Sequence, residues 1–168
     1  MSISRLMQQA ASSVGGGFGG LDSFETFSGG VPDGWTVNTN NVDNGGIVQS
    51  SSVGVTEGNS SLGFVGNGTY DIAGESINIT KDFDLTDFSQ ISIDFTNIKT
   101  DGVLNIQFGV TTDNDPDFIS FSTGTKTYDV SSLTGVHTVE LSIITPTTDG
   151  KTSEPYDFEI YWDNLIGT

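Results

Sequence analysis

Acids are the residues of this chain most able to do chemistry, and one run of them has a recognisable spacing. In Asp113-Asn-Asp-Pro-Asp117 the carboxylates alternate as they do in a calcium-wrapping loop. Such a loop needs a glycine at its sixth position and a bidentate glutamate at its twelfth. Phe118 and Gly124 stand there instead, so the run reads as a solvated turn. A second group is aromatic: Trp35, Tyr70, Tyr128, Tyr156, Tyr161 and Trp162 present flat apolar rings of the kind that stack on sugars. Trp35 and Trp162 lie within alternating strand patterns and belong to a core. Tyr161 points away from Trp162 and is the glycan-binding candidate. His137, the only histidine, precedes Val139 and Leu141 outside any triad or metal spacing and reads as a surface strand residue. No cysteine is present, which excludes disulfides, thiolate catalysis and cysteine metal sites. The acids are too numerous for one pair to stand out as the two carboxylates of glycoside hydrolysis. With no Ser-His-Asp pattern, phosphate loop or His-Cys cluster, the expectation is a protein without catalytic activity.

The elements that must position these side chains read as strands. In Tyr156-Asp-Phe-Glu-Ile-Tyr-Trp-Asp-Asn-Leu165, Phe158, Ile160 and Trp162 fall on one side and Asp157, Glu159, Tyr161 and Asp163 on the other. Leu21-Asp-Ser-Phe-Glu-Thr-Phe27 is its expected counterpart, because a domain commonly brings its ends together. Between them, short extended segments alternate with turn chemistry such as Val31-Pro-Asp-Gly34 and Asp43-Asn-Gly-Gly46. Strand candidates are 47–55, 61–65, 75–81, 91–96, 103–110, 118–121, 127–130 and 136–144. The fold class is therefore all-β: a jelly-roll β-sandwich of two antiparallel sheets over residues 21–168.

Residues 1–14 differ. Ile3, Leu6, Met7 and Ala10 recur at helical spacing, with Ser2, Ser4, Arg5, Gln8 and Gln9 on the other face. This is an expected short N-terminal helix or anchoring arm. Gln8, Gln9, Ser12 and Ser13 interrupt the apolar run, against a secretory signal. Gly15-Gly-Gly-Phe-Gly-Gly20 follows as a flexible linker. The order is arm, hinge, module.

With 22 acidic and 5 basic residues the chain carries a net charge of −17. Such a surface repels phosphate backbones, so nucleic acid is not an expected partner. No apolar run is long enough to span a bilayer. The acidic balance suits a saline setting, where salt screens self-repulsion.

Two resemblances follow from particular residues. Phe24-Glu25, Val31-Pro-Asp-Gly-Trp35, Gly58-Asn-Ser-Ser-Leu62, Phe83-Asp-Leu85 and Ile160-Tyr-Trp-Asp-Asn-Leu165 resemble carbohydrate-binding-module-like jelly rolls. The resemblance implies a structural calcium ion near the paired terminal strands. Glu25 and Asp163 match its acidic positions, and the 56–60 loop would supply carbonyl ligands. Separately, Met1-Ser-Ile-Ser-Arg-Leu-Met-Gln-Gln-Ala-Ala11 resembles the leader of marine tailed-phage virion structural proteins, cyanophages especially. That resemblance implies an accessory protein on the virion surface, a capsid decoration or similar, present in many copies. Ile3, Leu6, Met7 and Ala10 would hold it to other virion proteins, with host-surface or environmental glycans as further partners. The alternative is a stand-alone extracellular carbohydrate-binding module. The arm is tested by deleting residues 1–14. The truncated domain should keep its melting temperature but no longer co-sediment with particles, since a short amphipathic helix needs a partner surface.

Overall fold

The computed structural model describes residues 19–40, 45–70, 76–102, 104–111, 117–144 and 154–168. The expected arm over residues 1–14, with Ile3, Leu6, Met7 and Ala10, lies outside them, as does most of the 113–117 acidic run.

The described elements are all strands: β1 Gly19–Asp22, β2 Phe27–Ser28, β3 Val31–Pro32, β4 Thr36–Asn40, β5 Gly46–Ser50, β6 Ser61–Tyr70, β7 Ser76–Asp84, β8 Gln90–Asp101, β9 Asn105–Thr111, β10 Asp117–Phe118, β11 Gly124–Asp129, β12 Val136–Ile144 and β13 Glu154–Gly167. One sheet runs β11-β8-β13-β6-β5, with β1 added to the end of β13. The second runs β10-β9-β12-β7-β4, and β2 and β3 form a small hairpin. Every pairing is antiparallel. This is a two-sheet, jelly-roll-like sandwich.

The two-residue period explains why the sheets face each other. On β12, Val139, Leu141 and Ile143 are buried. Leu141 stands opposite Phe108 on one side and Ile79 on the other, and Ile143 opposite Ile106 and Ile77. On β8, Ile91, Ile93 and Phe95 point inward in the same way. Trp162, fully buried on β13, is held between Phe64 at 6.0 Å and Phe95 at 4.9 Å, both rings inclined to it. Trp35 is also buried, against Phe24 and Phe83. Both tryptophans are thus core residues, as their strand patterns imply.

The ends meet as expected, but over Gly19–Asp22 rather than Leu21–Phe27, so that Gly19 and Gly20, read from the sequence as linker, belong to the first strand. β1 pairs with β13 through Gly19–Gly167, Gly20–Ile166 and Asp22–Leu165. It then stops, because Phe24 takes a left-handed φ of 52° that no strand continues. β13 also carries a register shift against β8 between Glu159 and Ile160. There Lys99 and Asn97 are paired and Ile98, between them, is left 54% exposed.

Trp162→Ala should lower stability by about 3–5 kcal/mol, the cost of truncating a buried aromatic, with a matching fall in melting temperature. Trp162→Phe should cost much less. It keeps the ring packing and removes a buried indole N–H that finds no hydrogen-bond partner among the described residues.

Candidate functional site

The structure gathers its polar side chains where β13 changes neighbour. β6 pairs with β13 as far as Trp162, and β1 takes over that edge from Leu165. Asp163 and Asn164 lie in the gap. On the opposite edge Asp163 stands across from Asp94, and the register shifts before Ile166. Asn164 adopts a φ of 53°, a strained value for a residue with a side chain.

The 51–60 segment, which leads into β6, fills this gap as an irregular loop. Ser50 starts it by accepting the N–H groups of Ser52 and Val53 at its Oγ. Asp163 Oδ2 accepts the N–H of Thr56 at 2.6 Å, the N–H of Glu57 at 2.8 Å and the Thr56 hydroxyl at 3.2 Å. Asp163 Oδ1 accepts the N–H of Asn164. Glu25 accepts the N–H of Asn59 at 2.8 and 2.9 Å on its two oxygens, and the N–H of Ser60 at 3.1 Å. Asp94 accepts hydroxyls from Thr56 and Thr125 and the amide of Asn164.

Two glycines make the close fit possible. At Gly54, φ 71°, a side chain would strike Cβ of Tyr161 at 2.3 Å; at Gly58, φ 69°, it would strike the Glu25 carboxylate at 2.1 Å.

These contacts set the charges. Burial raises the pKa of the Asp163 carboxyl, and the N–H groups of Glu57, Thr56 and Asn164 only partly offset it. Burial acts in the same sense on Asp94. There the hydrogen bonds from Thr125, Thr56 and Asn164 prevail and hold the carboxyl below its usual range. Glu25 is also lowered, by the N–H groups of Asn59 and Ser60.

Beside this loop lies a cleft of about 330 Å³. Leu21, Asp22, Ser23, Glu57, Asn164 and Leu165 line it. Asp22 is already engaged: it accepts from the N–H of Phe24, the indole N–H of Trp35 and the ammonium of Lys81. Lys81 in turn lies over the rings of Trp35 and Phe83.

Glu25 and Asp163, the residues matched to a calcium site, are therefore both here and both grip one loop. That loop turns the N–H groups of Thr56, Glu57, Asn59 and Ser60 toward them. A hard cation is held by oxygen lone pairs, so this donor set does not fit calcium. Among the described residues no three Asp, Glu or His side chains group as metal ligands.

Tyr161 needs a correction too. It points away from Trp162, but it is only 6% exposed. Gly54 lies against its Cβ and Gly63 against its ring, while its hydroxyl donates to Glu159 at 2.8 Å. A side chain on the outward face is exposed only if nothing crosses that face, and here the 51–60 loop does. His137 is half-buried, its Nε2 within 3.0 Å of the Thr134 carbonyl oxygen. Sequence reading missed Asp94, Thr56 and the Asp22–Lys81 pair. Only the outward parity of Asp94 between Ile93 and Phe95 pointed to the first.

No protein-family model and no curated protein matches the sequence. Solved structures do match. The carbohydrate-binding module TmCBM61, determined in complex with beta-1,4-galactotriose, is 14% identical; the match covers 85% of this chain and 91% of that one, with a TM-score of 0.51. The chain shares its β-sandwich fold with that module. Weaker likenesses are the K2 cleaved adhesin domain of Lys-gingipain (15% identity, 87% and 95% coverage, TM-score 0.49) and the non-crystalline-cellulose-specific module CBM28 (13%, 88% and 93%, 0.40).

The covered tyrosine gives a pH prediction. Burial, then the hydrogen bond and charge of Glu159, push the Tyr161 phenol up to about 12. An ordinary tyrosine ionises near 10. The neutral phenol is the form the fold favours. Its stabilising contribution is whole below about pH 10 and is lost as pH rises toward about 12. Tyr161→Phe should delete the last phenolate step in an absorbance titration and flatten the fall in melting temperature across that window.

Proposed function

We propose that this domain is a non-catalytic glycan-binding module whose ligand enters the cleft beside the paired end strands. The observation that carries the proposal is the composition of that cleft. Ser23, Glu57 and Asn164, whose side chains carry a hydroxyl, a carboxylate and an amide, line it beside Leu21. Sugars present this same mixture, hydroxyls at the ring edge and C–H groups on the ring face. Small-ligand sites combine apolar walls with a few placed polar groups. At about 330 Å³ the cleft lies at the small end of such sites, and suits a short glycan or a chain end. The net charge of −17, with Asp22, Glu57 and Asp94 close by, disfavours uronate and sulfated chains. The ligand class is therefore neutral sugar. The β-sandwich likeness supports this reading at the level of fold.

Attachment to a virion is a separate proposal. It rests on the resemblance of the Met1–Ala11 leader, with Ile3, Leu6, Met7 and Ala10 as the anchoring stripe, and is tested by the deletion of residues 1–14.

Calorimetric titration with neutral oligosaccharides, set beside polyuronate and sulfated glycans, tests the cleft. A neutral ligand should bind and the anionic ones should not. Glu57→Ala and Ser23→Ala should each weaken binding about tenfold, equivalent to ~1.4 kcal/mol, with the melting temperature kept. Binding that survives both substitutions would move the site elsewhere. Binding to no neutral glycan would defeat the reading.

A further inference from the structure

We infer that Glu25 and Asp163 form a carboxylate–amide clamp that holds the 51–60 loop on the end strands in place of a metal ion, so that the order of this loop does not depend on divalent cations. The inference stands apart from glycan binding, since its contacts are all between groups of the protein itself.

Four backbone N–H groups in five residues converge on these two side chains. Thr56 and Glu57 donate to Asp163, and Asn59 and Ser60 to Glu25. Gly58 sits between the two pairs. Its φ of 69° is open to glycine at little cost, and the Glu25 carboxylate fills the space a side chain would need. Successive N–H groups turned to one side by a left-handed residue form an anion-binding concavity. In this chain the anions are the protein's own. Each N–H carries positive charge toward the carboxylate, the task a cation performs where carbonyls face the acids. A calcium ion at these oxygens would meet those same N–H groups and be repelled by them. Accepting it would mean turning over peptide groups that Gly58 and the Thr56 hydroxyl, shared between Asp163 and Asp94, now fix.

The loop has a further hold at each end. The hydroxyl of Ser61 donates to the Val53 carbonyl at 2.6 Å, and that of Ser60 to the Phe24 carbonyl at 2.7 Å. Removing one carboxylate should therefore loosen the middle of the loop, from Thr56 to Asn59, before the sandwich itself.

The test uses the full chain, with thermal unfolding and limited proteolysis read at constant ionic strength in chelator, in magnesium and in calcium. The melting temperature and the protection of the 51–60 loop should be the same in all three. Asp163→Asn places an amide nitrogen or a neutral oxygen where the N–H groups now find charge. It should raise cleavage within the loop about tenfold, the shift in local opening expected when charge-assisted hydrogen bonds are lost, and calcium should not restore it. Should Asp163→Asn fail to fold, Glu25→Gln reads the same loop from a more exposed side chain. A saturable rise in melting temperature with calcium but not magnesium would overturn the inference. So would unchanged protection in the folded variants.

Discussion

The partner change along β13 is the constraint on which the rest of this structure depends. Up to Trp162 the strand is hydrogen-bonded to β6; from Leu165 it is bonded to β1. A sheet cannot leave backbone groups and a buried acid facing nothing at such a junction, because an unpaired buried polar group costs about 1–3 kcal/mol and a charge costs more. Asp163, with no exposed surface, is the acid at that point. The 51–60 loop is shaped by the need to satisfy it. The two left-handed glycines, the position of Glu57 at the cleft and the covering of Tyr161 all follow from the path the loop takes to bring its N–H groups within reach.

The core was legible in the sequence because burial obeys a local rule. Alternation of Ile91, Ile93 and Phe95, and of Phe158, Ile160 and Trp162, needs no knowledge of neighbouring strands to declare which side is apolar. The long strands β8, β12 and β13 were accordingly found, β12 with the bounds Val136–Ile144 that the structure shows. Strand ends were less clear. The pattern for β6 stopped at Val65, yet the strand runs on through Gly66-Asn-Gly-Thr-Tyr70, because it is paired with β13 rather than stabilised by its own propensity.

The polar site was legible only in part, for a related reason. Parity says that Asp94, Tyr161 and Asp163 face outward, but not what lies above them. Covering is a long-range fact. Thr56 is 107 residues from the Asp163 carboxylate it serves, and Lys81 is 59 from Asp22. Resemblance to jelly-roll modules named Glu25 and Asp163 and placed them beside one loop. It did not say which end of each peptide group would face them, and that orientation decides between holding a cation and replacing one.

The two tryptophans have acquired opposite surroundings from this arrangement. Trp162 lies among Phe64 and Phe95 with its indole N–H in an apolar layer, while the indole N–H of Trp35 donates to Asp22, with the Lys81 ammonium over its ring. One chromophore therefore senses the dry interior between the sheets, and the other senses charges at the place where the two ends of the domain are joined. Their emission comes from two electrically distinct places in one sandwich. Loosening of the end-strand seam and opening of the interior are thereby separable optically, with no label added.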